Sequence, residues 1–278
     1  MSKTQTSLLT RIITHVMIIL GAFASLFPFV WMLILSSREN KEIFEVPPSL
    51  RFGDQLWTNI KAVIEGTPFF RSFLNTLFVA TVQTLLMLFL ATLAGFAFAK
   101  LKFKGREILF TILIGTMMIP TQMNTIPQYF IMDRLGWVGS YKALIIPSMV
   151  SAFSIFWVKQ FAEEGISDSL IEAARIDGAT TFQILTRVAV PIIRPGLAFL
   201  TLYSFMGSWN EYMWPLIVLK DESKYTLQLA LSQLKGLYTV NYSLVLTGSF
   251  LSVIPLIILF AVFSKQLIAG ITEGAVKG

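Results

Sequence analysis

The sequence contains no cysteine. That absence excludes a disulfide framework, a thiolate metal site and a cysteine nucleophile. There is one histidine, His15, and the 16 acidic residues show no clustering with metal-ligand spacing. No nucleophile has a base beside it, so no hydrolytic or transfer site is legible. The run GxxxxGK[ST] is missing too, and any ATP hydrolysis must come from a partner. Charge is the scarcest property: 14% of the residues carry one, against about a quarter in an average soluble domain. A soluble protein of 278 residues covered so thinly would expose large apolar patches. An ordinary cytosolic globule, a disordered chain and a nucleic-acid-binding domain are excluded. The formal charge of +6 and the pI near 9.5 then describe loops that face anionic lipid on the cytoplasmic side.

What the chain has instead is long apolar runs, with 55% hydrophobic residues and a mean hydropathy of +0.69. A bilayer core of about 30 Å needs about 20 apolar residues of helix. Six runs qualify, at residues 12–35, 73–99, 108–132, 143–162, 196–219 and 243–264. The expected fold is all-α and integral to the membrane, one domain of six transmembrane helices with both termini on the same side. The first run is too long for a removable signal peptide and lacks a small-residue cleavage site. The third is irregular, because Pro120, Gln122, Asn124 and Pro127 interrupt it after Ile119. An apolar stretch that short cannot cross, so the helix must kink or break where neighbours satisfy its backbone. Pro28, Pro215 and Pro255 each remove an amide donor, which serves packing kinks or gating equally well. Lys100, Lys102, Lys104 and Arg106 crowd one short loop, and short loops are where basic residues best report the cytoplasmic side. That favours N-in, C-in.

The connection over residues 163–195 has helical signals of its own. Ser169 and Glu172 fit a capping box, with Leu170, Ala173, Ala174 and Asp177 sharing a face after it. Gly178 is a natural helix stop. A second short helix from Thr180 or Thr181 would present Phe182, Leu185 and Val188 and end before Pro191. Small alanines let another protein approach closely, so the segment reads as a docking knob. The other reading is a helix lying on lipid headgroups, which would prefer a more basic face than Glu172, Arg175 and Asp177 offer. Elsewhere, Glu211 falls within the fifth run beside Asn210, Trp209 and Trp214. Acids at membrane depth face a cavity or a partner, and aromatic rings next to hydrogen-bonding groups suit a sugar. An interfacial belt of Trp and Tyr accounts for the same residues. Gln83, Gln122 and Asn124 fit either a substrate pathway or interhelical hydrogen bonds. His15 reads as interfacial, the segments Arg38–Arg71 and Lys220–Tyr242 as extracytoplasmic loops, and the tail Gly270–Gly278 as an interaction peptide.

Glu172-Ala173-Ala174, three residues, Gly178, nine residues, then Val188-Ala189-Val190-Pro191 resembles the EAA loop of ABC importer permeases, EAA-x3-G-x9-I-x-L-P. Val188 and Val190 depart from the pattern but stay branched and apolar. Asn75-Thr76, Ala94-Gly95-Phe96-Ala97-Phe98-Ala99, Phe103-Lys104-Gly105, Ile119-Pro120, Ile126-Pro127, Leu135-Gly136, Trp209-Asn210-Glu211, Trp214-Pro215 and Gly274-Ala275-Val276-Lys277-Gly278 extend the likeness. They are similar to the carbohydrate-uptake branch and its maltose-type second permease subunit. The resemblance implies a type I ABC importer permease fold in the cytoplasmic (inner) membrane, not an enzyme. It implies a second, homologous permease subunit as heterodimer partner, two ATPase subunits and an extracytoplasmic sugar-binding protein. No cofactor would be bound by this chain; ATP and Mg would sit on the ATPases. ATPase coupling would fall to Glu172, Ala173, Ala174, Asp177, Gly178 and Pro191. The cargo would be a sugar, usually an oligosaccharide, with a polyol or a glycerol phosphate as minority cases. The absence of Lys and Arg from mid-span favours a neutral one. A stand-alone ion-driven transporter is the alternative, but it would show inverted repeats and midplane carboxylates.

Overall fold

The computed structural model describes residues 8–236 and 240–276, with side chains over 9–236 and 240–264. Among these residues the chain is helical. Helices α1 (Leu8–Ser36), α2 (Leu56–Gly66), α3 (Phe69–Lys100) and α4 (Arg106–Thr116) come first. Then follow α5 (Thr125–Arg134), α6 (Lys142–Ser148), α7 (Ala152–Gly165), α8 (Asp168–Ile176) and α9 (Thr181–Ile184). The last are α10 (Val190–Asn210), α11 (Met213–Val218), α12 (Leu227–Ser232) and α13 (Tyr242–Val276). Among the described residues, five helical stretches are long and apolar enough to cross a membrane, and six if one bent pair counts as a span. That pair is the irregular third run. Its two pieces, Arg106–Thr116 and Thr121–Arg134, meet at 90°. Pro120 lacks the amide that would continue the helix.

The chain forms two compact units. The first holds α1, α2 and residues 231–254. Its organising group is the turn that leaves α1. Ser36, Ser37 and Arg38 are buried there. Asn59 of α2 donates to the carbonyls of Ser36 and Arg38, at 2.9 and 3.0 Å. The Arg38 guanidinium donates to the Arg51 carbonyl at 2.6 Å. This buried cation is held by the Arg51 carbonyl and, at 2.8 Å, by the Ser49 hydroxyl. The mixed-charge segment after α1 is therefore a folded clasp containing α2.

The second unit holds residues 68–230 and the chain from Pro255 onward. Its core is α3 against α7 and α10, built around Met87, Ala91, Phe96, Val158, Ala162, Ile193 and Leu200. Gly95 allows the close approach: a Cβ there would lie 2.6 Å from Val158. Small residues at helix contacts are how membrane helices gain packing, because lipid offers no hydrophobic drive. Between α7 and α10 runs an aromatic stack, with Trp157 4.4 Å from Phe199 and Phe153 5.1 Å from Tyr203.

Several boundaries differ from the reading of the sequence. The helix that starts at Thr181 does not end before Pro191. It passes through a π-turn, Leu185–Ala189, into α10. Pro191 directly follows the π-turn, and the shift of register there lets the helix run on past a residue with no amide to donate. The fifth run is not one helix to Leu219 either, because α10 stops at Asn210 and α11 starts at Met213. Pro215 consequently lies in the first turn of α11 and breaks no interior bond. Of the tail, residues 270–276 continue α13, while Lys277 and Gly278 lie outside the described residues.

Candidate functional site

Two regions of the second unit gather the residues singled out by sequence. The first is the connection between α7 and α10. Its helix α8 is capped by Ser167, whose Oγ accepts the Leu170 amide. Ser169 is not the cap. Asp168 takes the first turn, where the positive helix end favours an acid, and Ser169 shares a 3.0 Å hydrogen bond with Ser167 instead. Ile171 anchors α8 in the core. Glu172, Ala173, Arg175 and Asp177 are exposed and Ala174 is half-buried. Gly178 adopts φ +80°, the left-handed conformation that a residue with a Cβ resists. Around it the Gly178 amide donates to Arg175 and the Ala179 amide to Ala174, closing the helix end. The reciprocal capping box is at α9: Thr180 accepts the Gln183 amide at 3.3 Å, and Gln183 Oε1 accepts the Thr180 amide at 2.8 Å. The knob exposes Leu170, Phe182 and, at 86%, Ile176. Ile176 lies off the face traced from sequence, and its position just before the glycine stop was the available signal. Leu185 is buried. Pro191 belongs to α10, beyond the π-turn.

Beneath α8 lies a cleft of about 470 Å³ lined by Lys100, Lys102, Arg106, Asp168, Glu172 and Arg175. Lys100 Nζ reaches Asp168 Oδ1 at 2.9 Å, its side chain 8% exposed against 84% for the aspartate. That hydrogen bond, and then the charge behind it, holds the Asp168 carboxyl below the usual carboxylate range.

The second region surrounds the break between α10 and α11. Glu211 stands in the break, not within a helix, and its Oε1 accepts the Trp214 amide at 3.1 Å. The carboxylate thereby satisfies an orphan donor of α11. Trp214 Nε1 donates to the Ala143 carbonyl at 2.9 Å, tying α11 to α6. Gln83 Oε1 accepts from Ser208 Oγ at 2.8 Å. A cavity of about 90 Å³ is lined by Gln83, Ser148, Ser208, Glu211, Trp214 and Thr226. Another, of about 360 Å³, brings Gln122 and Asn124 to the same Glu211 and Trp214. A third, of about 510 Å³, joins Gln83 to Asn210. All six residues expected along a pathway thus line these three cavities. Trp209 does not. It is fully buried, edge-on to Phe73 and stacked on Phe205, and belongs to the core. Sequence reasoning missed Ser148, Ser151, Ser154, Tyr203, Ser204 and Ser208; the three- and four-residue spacing of the serines inside apolar runs was the available signal for all but Tyr203. Among the described residues no group of His, Asp and Glu could hold a metal ion.

The model of the family described as binding-protein-dependent transport system inner membrane component matches residues 87–271. The arabinooligosaccharides transport system permease protein of Bacillus subtilis is 33% identical over 256 residues, covering 91% of each chain. The lactose transport system permease protein of Rhizobium radiobacter is 32% identical over 269 residues, covering 97% of each. The sn-glycerol-3-phosphate transport system permease protein of Salmonella typhi is 29% identical, covering 94% of this chain and 96% of that one. A chain from the crystal structure of a bacterial ABC transporter involved in the import of the acidic polysaccharide alginate superposes with a TM-score of 0.77. It is 25% identical and covers 95% of this chain and 99% of that one.

Proposed function

The chain belongs to the family of binding-protein-dependent transport system inner membrane components, and on that premise we propose how it works within an importer. It is a multi-pass membrane permease of the ABC sugar-transport group and not an enzyme. In the proposed assembly it pairs with a second, homologous permease, sits on two ATPase subunits and receives cargo from an extracytoplasmic binding protein. ATP and Mg belong to the ATPases. Both termini face the cytoplasm, and the clasp after α1 and the segment Lys220–Tyr242 face the binding protein.

The observation that carries this reading is the exposed α8–Gly178–α9 knob. Two short helices joined by a left-handed glycine and closed by caps at both starts move as a unit. Exposed Ile176 and Phe182 beside Glu172 offer an apolar anchor with a charged rim, the composition of a protein interface. Such a knob, seated in an ATPase cleft, converts nucleotide-driven closure into helix motion. A neutral oligosaccharide is the cargo we favour, since no Lys or Arg lines the three cavities around the α10–α11 break. The glycerol-phosphate case would want one there.

The test is reconstitution with the partner subunits in proteoliposomes. Gly178→Pro should insert normally yet lose uptake by about tenfold or more, since it forces φ away from +80°. Normal uptake by that variant would sink the coupling role. The chain alone should be inert; ion-driven accumulation by it would favour the stand-alone transporter.

A further inference from the structure

The largest of the three cavities, about 510 Å³, is a groove along α3, α7 and α10 with no charged residue in its lining. We propose that it is a saccharide subsite on this subunit, taking one neutral sugar unit of the cargo and built from Gln83, Ser151, Ser154, Tyr203, Ser204 and Asn210. The proposal rests on the permease reading and adds to it where on the chain the cargo is held.

Unused hydrogen-bonding capacity faces the groove. Ser154 is 1% exposed, and its hydroxyl lines the groove while only its amide is engaged, with Ser151 Oγ at 3.2 Å. Gln83 has its carbonyl oxygen occupied by Ser208, which leaves its amide hydrogens to donate. Asn210 donates to the Met206 carbonyl, which leaves its oxygen to accept. Ser204 accepts from Thr84 at 3.3 Å, which leaves its own proton. In the adjoining small cavity, which shares Gln83, Ser148, Gly207 and Ser208, the buried Thr226 hydroxyl has no partner at all. Buried hydroxyls are normally bonded, so orphans beside a void point to something that fills it. Sugar hydroxyls donate and accept at once, as this mixed set requires. Tyr203 adds a ring 53% exposed and backed by Phe153 and Phe199 at 5.1 and 6.1 Å. A ring so fixed is a platform for the CH face of a pyranose or furanose.

Other occupants fit less well. Acyl chains would leave the amides and hydroxyls unsatisfied. A phosphate or uronate would lose its hydration with no cation to replace it, and would meet the Glu211 carboxylate next door. The volume far exceeds the roughly 30 Å³ of one water.

Gly207 makes the test possible, because it lines the groove and a Cβ there meets nothing within 4 Å. Gly207→Phe starts from that open Cβ position and adds bulk at the groove wall. The complete importer, in nanodiscs, is examined by saturation-transfer NMR with maltotriose and arabinotriose as neutral probes and trigalacturonate as the acidic one. We expect a signal from a neutral probe that falls about fivefold or more in Gly207→Phe and in Tyr203→Ala, and none from trigalacturonate. If Gly207→Phe fails to assemble, Ser154→Ala, which deletes one unbonded hydroxyl, should lower the signal about twofold or more. Unchanged signal in the variants, an equal signal from trigalacturonate, or no signal from either neutral probe overturns the subsite. Co-elution with the ATPase subunits reads the permease assignment separately, so the two can fail independently.

Discussion

Glycine shows how differently a single residue type can be used in this chain. Gly178 serves through its φ of +80° with open space around it, and Gly95 serves through the absence of a side chain. Gly178 is legible in sequence, because it follows a helical face and precedes a new start signal. Gly95 is not, since only the packing of α3 on α7 puts Val158 against it. Gly95→Ala should therefore destabilise the protein by about 1–3 kcal/mol, the usual effect of overfilling a packed contact. Thermal unfolding in detergent would read it, and an unchanged midpoint would contradict the close approach. Trp209 and Trp214 make a similar pair. Both stand near Glu211 in sequence, yet one is sealed in the core and the other borders two cavities. Their closeness in sequence says nothing of that when the helix breaks between them.

Among the elements, α8 combines an apolar anchor, Ile171 in the core, with one long-range ion pair, that of Lys100 and Asp168. Because that contact holds the Asp168 carboxyl below its ordinary range, the pair stabilises the folded state above the ordinary carboxylate pKa. Its contribution is lost as pH falls through the depressed value. The aspartate is largely exposed, so the effect is small and screened by salt. Hydrogen–deuterium exchange should show α8 protection factors that hold from neutral pH into the mild acid range and fall only below it. Asp168→Asn should lower them at neutral pH and remove the acid step. Equal protection in both proteins would mean the pair does not position α8. The π-turn before α10 was invisible in sequence because Pro191 reads as a terminator, and only the register shift of Leu185–Ala189 lets the helix continue.

For the whole molecule, the absence of native cysteine makes topology directly testable. With the N-terminus inside, Lys102→Cys should react with a membrane-impermeant maleimide only from the cytoplasmic side and Asp54→Cys only from the other. The reverse pattern would overturn the orientation, which rests on the crowding of Lys100, Lys102, Lys104 and Arg106. Membrane residence, the helical class, the irregular third span and the knob were all determined by sequence alone. Each follows from local composition: apolar runs long enough for a bilayer, a proline that stops a helix, a glycine between two start signals. The boundaries of the fifth span, the role of Glu211 as a cap for α11 and the separation of Trp209 from Trp214 were decided only by tertiary structure. So was the gathering of serines from α7 and α10 beside Gln83 of α3. Apolar runs report how deep a segment lies in lipid, whereas which polar side chains meet depends on helix register and on where a helix breaks, and those are settled between elements.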